Sequence, residues 1–175
     1  IRKEAPEIKV ILASDIWPVV REYERTITAV VAGYVQPQVA YYLSSLQTVL
    51  KEAGANVEPM ITKSNGGVMT AERGKTDCAQ MLLSGTASGV MGASSIAMQT
   101  KVPMAMSLDI GGTSADVAII NSGEPQFGTG ELIGEFPIYI PSVSVSSIGE
   151  GGGSIAWIDE PVSYTHLRAH ETAVN

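Results

Sequence analysis

The sequence predicts an α/β protein, and three patterns carry that prediction. Apolar residues recur at helical spacing through residues 25–53. Short runs rich in Val, Ile and Met follow at strand length from residue 103 onward, and clusters of Gly, Asn and Ser punctuate the changes of period. The 175 residues are 45% hydrophobic and 17% charged, enough apolar material for a core and too little charge for a disordered chain.

Taken in order, the chain opens at Ile1 without Met and enters a strand-like run, Ile8 to Ala13, almost at once. That reads as an entry in mid-domain. Arg25 to Ala53 follows, with Ile27, Val30, Val31, Tyr34, Val35, Val39, Tyr42, Leu43, Leu46, Val49 and Leu50 at helical spacing, Pro37 in the middle and Gly54 just past the end. This is either one helix kinked at Pro37 or two helices. Val57 to Thr62 reads as a short strand, Ser64 to Gly67 as a turn, Thr70 to about Gln80 as a helix opened by Thr70, and Met81 to Ser84 as a short strand. Ala87 to Gln99 is rich in Ala, Ser and Gly, which suits a helix pressed closely against a sheet; glycine weakens a helix, so close approach is the expected reason for Gly89 and Gly92.

From Pro103 the period changes. Strands are expected over Met104–Asp109, Ser114–Ile120, Gln126–Thr129 and Phe136–Ile140, with a turn at Asn121 to Gly123. Several of these runs are apolar on both faces, as in central strands of a covered sheet. After Pro161 the character changes again. Val162–Asn175 (VSYTHLRAHETAVN) holds both histidines, continues no strand or helix pattern, and resembles translated sequencing-adaptor sequence, so it is expected to be non-native.

The bulk properties exclude some functions. A net charge of -7, with 11 scattered basic residues, does not make a nucleic-acid surface, because phosphate backbones need clustered Lys and Arg. No apolar run approaches the roughly 20 residues that cross a bilayer, and no signal peptide opens the chain, so a cytoplasmic setting is expected. The lone cysteine, Cys78, fits a small packing residue.

The chemistry concentrates in Leu108–Val117 (LDIGGTSADV). Asp109 ends an apolar strand, Gly111 and Gly112 form the turn, Thr113 and Ser114 add hydroxyls, and Asp116 opens the return strand. Glycines let backbone N–H groups reach an anion without a Cβ in the way, so the turn can cradle phosphate oxygens. A hard carboxylate such as Asp109 can hold Mg²⁺, largely through water. The segment is neither a Walker loop nor a dinucleotide fingerprint, and a plain glycine hairpin would use the same residue types. Three other stretches also admit two readings. Ser64–Gly67, with Asn65 and Gly66, could present donors to a ligand or could simply turn the chain. Leu83–Gly85 could offer a helix N-terminus to an anion or could serve packing. Arg21, Glu22, Glu24 and Arg25 read as ion pairing at a helix start.

Five blocks together resemble the hydantoinase A / 5-oxoprolinase / acetone carboxylase family. They are the hairpin itself, Arg21–Thr26 (REYERT) followed by Ala32–Pro37 (AGYVQP), Ser64–Met69 (SNGGVM), Leu82–Gly85 with Ala87–Gly92 (LLSG, ASGVMG), and Gly149–Trp157 (GEGGGSIAW), in the family's order. Thr86, Ser88 and Glu150 depart from its pattern, where Pro, Ala and a small residue are usual. Glu150 would repel a phosphate from the loop that holds it.

The resemblance implies an actin-like, two-lobed ATPase fold of which this chain is an incomplete part. Residues 1–101 would be the end of one lobe and inter-lobe helices, 102–160 the phosphate-hairpin part of the next, and 161–175 the non-native tail. It implies ATP and Mg²⁺ as cofactors. Asp109 would position the metal, Gly111, Gly112, Thr113 and Ser114 would hold phosphates, and Asp116 would orient water or metal. Gly151, Gly152 and Gly153 would approach the nucleoside, and Asn65 and Gly66 would offer further contacts. The implied chemistry is phosphoryl activation of a carbonyl, opening cyclic amides such as hydantoins or 5-oxoproline; a ketone carboxylase subunit and a non-catalytic nucleotide-sensing lobe are the alternatives. A second subunit or domain of the hydantoinase B type is the implied partner. The family's first phosphate hairpin is absent from these residues, so the chain alone is expected not to turn over ATP.

Overall fold

The computed structural model describes residues 3–8, 10–159 and 164–168. They form two compact units that interleave in sequence, Ile1–Ser88 with Phe127–Ser144 and Gly89–Gln126 with Val145–Asn175, where the sequence reading drew three consecutive segments. Among the described residues no helix is long and apolar enough to cross a membrane.

The first unit is built on one long helix. After the four-residue α1 (Ala13–Ile16), which replaces the strand expected from Ile8 to Ala13, α2 runs unbroken from Glu22 to Glu52 with Pro37 inside it. The choice between one helix and two therefore resolves to one. Gly54, at φ +85, ends it: its N–H reaches the Lys51 carbonyl at 3.0 Å and that of Ala55 reaches Leu50 at 2.9 Å, a left-handed helix stop. Ile27, Val31, Val35 and Val39 line the inner face of α2, around a core of Ala32, Cys78, Ala79, Ile138 and Ile140. Thr28 is buried there without an orphaned group, because its hydroxyl donates to the Glu24 carbonyl at 2.8 Å and accepts from the Tyr139 N–H at 3.0 Å. Cys78 is buried and donates to the Ala32 carbonyl, a packing role. At the start of α2, Arg21 pairs with Glu24 and Arg25 donates to the Val19 carbonyl.

Strands β1 (Met60–Thr62) and β2 (Val68–Thr70) form an antiparallel hairpin. The helix expected from Thr70 to Gln80 is instead three pieces: the end of β2, the short α3 (Ala71–Gly74) and a 3-10 turn at Cys78–Met81. Thr70 does cap α3, accepting from the Arg73 N–H at 3.2 Å. It ends at Gly74, a glycine by packing, for a Cβ there would lie 2.8 Å from Leu43 of α2. The strand expected at Met81–Ser84 is absent, since Leu83 sits at φ +61 and α4 (Ser84–Thr100) begins at once.

The second unit takes up α4 from Gly89. It contains the sheet β10-β4-β3, made of β3 (Met104–Ile110), β4 (Ala115–Asn121) and β10 (Ser146–Ile148), with β5 (Glu124–Pro125) also paired to β4. Ser122 and Gly123, at φ +52 and +81, join β4 to β5 as a two-residue turn with both centres left-handed. Buried Ser94 of α4 hydrogen-bonds the Gly123 carbonyl, and Met98 fills the space where a Gly123 side chain would go. The tight contact of α4 is made here. A Cβ on Gly89 or Gly92 would meet nothing within 4 Å, so close approach does not explain those two glycines. The expectation of central, covered strands also fails for β3, which is an edge strand with Met104 70% and Met106 62% exposed.

Back in the first unit, β6 (Phe127–Gly128) pairs with β9 (Ser142–Val143) and β7 (Glu131–Ile133) with β8 (Phe136–Ile138), the last shorter than the Phe136–Ile140 run expected. In the second, β11 (Ile155–Asp159) pairs antiparallel with β12 (Tyr164–Arg168) in a two-stranded sheet of their own, a strand where the sequence pattern of Val162–Asn175 gives none.

Candidate active site

The hairpin singled out by the sequence is formed as expected, and its register carries the chemistry. β3 and β4 pair so that Ile110 faces Ala115 and Asp109 faces Asp116 directly across the ladder. Cross-strand partners share a face, so the two carboxylates stand side by side. The same row continues into β10, where Ser147 is the partner of Asp116 and its hydroxyl donates to Asp116 Oδ1. On this face the next pairs inward are Ser107 with Ala118 and Ala105 with Ile120. Ala118 and Ile120 are buried, whereas Asp109 is exposed and Asp116 half-buried. The carboxylates therefore sit where the packed face of the sheet runs out to solvent. Like charges directly opposite each other cost a sheet stability, which makes the pair a liability for folding alone.

Residues 111–114 close the hairpin, held by one backbone bond from the Gly111 N–H to the Ser114 carbonyl at 2.8 Å. Gly111, Gly112 and Thr113 are exposed. Among the described residues the N–H groups of Gly112 and Thr113 have no acceptor. They are available to an anion.

Against this loop packs the second glycine-rich segment. The Gly152 N–H donates to the Gly111 carbonyl at 2.9 Å. A Cβ on Gly151 would collide with the Gly112 carbonyl and lie 2.7 Å from the Thr113 nitrogen. Gly151 is thus a glycine because another backbone lies where its side chain would be. Ser154 fastens the segment, its hydroxyl accepting from the Gly151 N–H at 3.1 Å and its own N–H donating to the Gly151 carbonyl at 2.9 Å. Gly152 and Gly153 stay exposed. Glu150 is the anomaly, since its Oε2 is buried with no hydrogen-bond donor among the described residues.

The structure thus brings together Asp109, Gly111, Gly112, Thr113, Ser114, Asp116, Gly151, Gly152 and Gly153 within the second unit. Asn65 and Gly66 belong to the first unit, in the turn between β1 and β2. There most amides are engaged: Lys63 N–H to the Gly67 carbonyl at 2.8 Å, Ser64 N–H to Gln80 at 2.7 Å, Gly66 N–H to Lys63 at 2.9 Å, and Gly67 N–H to Asn65 Oδ1 at 3.0 Å. Gly66, at φ +78, is there for the turn. Ser147 is the residue that sequence reasoning missed. Nothing local marks it, because only the pairing of β10 with β4 places it beside Asp116.

Residues 25–166 match the family described as Hydantoinase/oxoprolinase. The chain is 29% identical over 160 residues to the caprolactamase subunit alpha of Pseudomonas jessenii, covering 91% of this chain and 23% of that protein. It is 31% identical over 145 residues to 5-oxoprolinase 1 of Arabidopsis thaliana, covering 82% of this chain and 11% of that one. Its structure superposes on nucleotide-free acetone carboxylase, from a study of ATP-dependent acetone carboxylation, with a TM-score of 0.75 at 28% identity, over 94% of this chain and 24% of the other. The chain therefore spans about a quarter or less of the relatives it matches. The α/β fold of the actin-like ATPase type is common to them. On the match of sequence and the agreement of fold, the chain belongs to the hydantoinase/oxoprolinase family.

Proposed function

We propose that the β3–β4 hairpin holds the phosphates of ATP together with Mg²⁺, in a cytoplasmic enzyme that opens a cyclic amide such as a hydantoin or 5-oxoproline. The observation that carries this reading is the placement of Asp109 directly opposite Asp116 beside two unspent backbone amides. A hard dication relieves the repulsion between two such carboxylates, and phosphate oxygens take up the amides.

The residues fit both groups. Among the described residues no three His, Cys, Asp or Glu side chains come together as a metal cage; Mg²⁺, however, keeps its waters and is usually held by one or two carboxylates plus phosphate. Asp109, exposed and with no hydrogen bond to the described residues, is the carboxylate free to reach it. Asp116, engaged by Ser147, is held in one orientation and positions water or metal from the return strand. The N–H groups of Gly112 and Thr113 and the hydroxyls of Thr113 and Ser114 bind phosphate, and Gly153 stays clear for the nucleoside. When bound, the nucleotide and its metal would supply a phosphoryl group to a carbonyl oxygen, turning a poor electrophile into a reactive one. The protein's contribution is positional and electrostatic.

A second reading, a ketone carboxylase subunit, draws on the likeness to acetone carboxylase. The nucleotide chemistry at the hairpin is the same in both. A partner subunit of the hydantoinase B type fits either, since the caprolactamase relative is itself a subunit.

The test is Asp109→Asn in the complete enzyme that contains this chain. ATP turnover should fall about a hundredfold, ~2.7 kcal/mol of transition-state stabilisation, with nucleotide affinity falling less. Stability in urea should hold or rise by about 0.5 kcal/mol, because a like-charge cross-strand pair is removed. A folded variant with wild-type turnover would leave the hairpin a structural turn.

A further inference from the structure

The first unit holds a cavity that the nucleotide reading does not use. A second, smaller one adjoins it: the two measure about 380 Å³ and about 120 Å³ and share Ile16 and Gln80 as lining residues. The larger is within the range of small-molecule sites, roughly 300–1,000 Å³, and Ile11, Ala32 and Ala79 give it an apolar wall. The smaller pocket is lined by Lys63, Asn65 and Gln80 beside Ile16, Trp17, Ile140 and Pro141, with no Asp or Glu in its lining.

Those groups are held in place. Lys63 has no ion-pair partner among the described residues. Its stem lies along the β1–β2 turn, where a Cβ on Gly67 would fall 3.2 Å from Lys63 Cε and 3.1 Å from Asn65 Oδ1. Asn65 Oδ1 is committed to the Gly67 N–H, so its NH₂ is the half of the amide left to donate. Gln80 is clamped through its carbonyl, which accepts from both the N–H and the hydroxyl of Ser64, at 2.7 and 2.8 Å.

We propose that the smaller pocket binds a small carboxylate, with the carboxylate on the Lys63 ammonium and the Asn65 NH₂ and the body of the molecule against Ile16, Trp17 and Ile140. One ammonium and one neutral N–H donor match the two oxygens of a carboxylate, and the charged partner strengthens the pair. A phosphate would need more donors. The turn adds at most the Asn65 N–H, because the amides of Ser64, Gly66 and Gly67 are engaged within the protein. The larger pocket, bordered by Asp15 and the Arg73–Asp77 ion pair, is the poorer place for an anion.

The inference is independent of the nucleotide site, and its test uses no nucleotide. The complete enzyme that contains this chain, free of nucleotide, would be titrated with 5-oxoproline, with 2-pyrrolidinone, which has the same ring without the carboxylate, and with inorganic phosphate. The signals followed by NMR are the side-chain amides of Asn65 and Gln80 and the indole N–H of Trp17. 5-Oxoproline should move all three, with 2-pyrrolidinone at least about tenfold weaker and phosphate weaker still. Lys63→Met, which keeps the stem, should weaken 5-oxoproline about tenfold, and Lys63→Arg should restore most of the loss. Should Lys63→Met fail to fold, Asn65→Asp, which sets a like charge at the same point, should abolish the shifts. Equal binding of the two ring compounds, tighter binding of phosphate, no shift at these residues, or a folded Lys63→Met with unchanged affinity would each overturn the proposal.

Discussion

The two Gly-Gly turns of this protein invite comparison. Each closes an antiparallel hairpin, Ser64 to Gly67 between β1 and β2 and Gly111 to Ser114 between β3 and β4. Their sequences advertise the same capacity, small residues and polar side chains where a backbone could meet an anion. In the first turn the N–H groups of Ser64, Gly66 and Gly67 all have acceptors in the protein, and what remains for a ligand among the described residues is one amide, that of Asn65, with the side chains of Lys63 and Asn65. In the second, among the described residues, the Gly111 N–H alone is engaged, and the open amides stand beside a carboxylate pair. A glycine turn becomes a phosphate site only when its amides are not already spent. That is a property of hydrogen bonding, and residue type alone does not reveal it.

Substituting one glycine in each turn sharpens this contrast, and the largest effect belongs to the second turn. Gly112→Val adds a side chain with nothing within 4 Å of its Cβ, so folding should be nearly untouched, within about 0.5 kcal/mol by urea unfolding. Nucleotide affinity in the complete enzyme should nevertheless fall about a hundredfold, since the side chain occupies the approach of phosphate to the backbone. Gly66→Ala should do the reverse. At φ +78 an added Cβ costs about 1–2 kcal/mol of stability, with nucleotide affinity unchanged. If the two variants exchanged these profiles, the assignment of the turns would be wrong.

Gly151→Ala probes what holds the second turn open. Its Cβ would run into the Gly112 carbonyl, so the glycine-rich segment must shift, at about 1–3 kcal/mol by urea unfolding. Nucleotide binding should weaken with it, because the Gly152 N–H to Gly111 carbonyl bond that braces the loop is strained. Unchanged stability would mean that the segment does not press on the hairpin.

Much of this was legible in the sequence where a single local rule decides. The α2 periodicity, the stop at Gly54, the Asn121–Gly123 turn and the Asp109–Asp116 hairpin all follow from spacing and from glycine's access to positive φ. What the sequence hid was tertiary. The helix expected after Thr70 ends at Gly74, where Leu43 of α2 leaves no room for a side chain. β3 reads as a buried strand because Met104, Met106, Leu108 and Ile110 are apolar, yet its place at the sheet edge is set by pairing order, which composition does not encode. Within the site, the hairpin residues were found from their motif, while Ser147 and the packing of Gly151 on Gly112 depend on segments more than 30 residues apart.

Glu150 gives the smallest expected effect and the most specific one, because the family resemblance leads one to expect a small residue in its place. Its Oε2 is buried without a donor, and the segment that carries it is bonded to the hairpin loop through the Gly152 N–H and the Gly111 carbonyl. A carboxylate so placed opposes any anion approaching the amides of Gly112 and Thr113. Glu150→Gln keeps the shape and removes the charge. ATP affinity of the complete enzyme should tighten about fivefold, ~1 kcal/mol, and the gain should shrink as salt rises. Titrating with and without Mg²⁺ separates this from a metal-holding role. Repulsion predicts a gain in both titrations, larger without the metal, because the bare nucleotide carries more negative charge. If Glu150 instead helped to hold the ion, the substitution would weaken binding only when Mg²⁺ is present, and the two open amides would then face a site with three carboxylates in place of two.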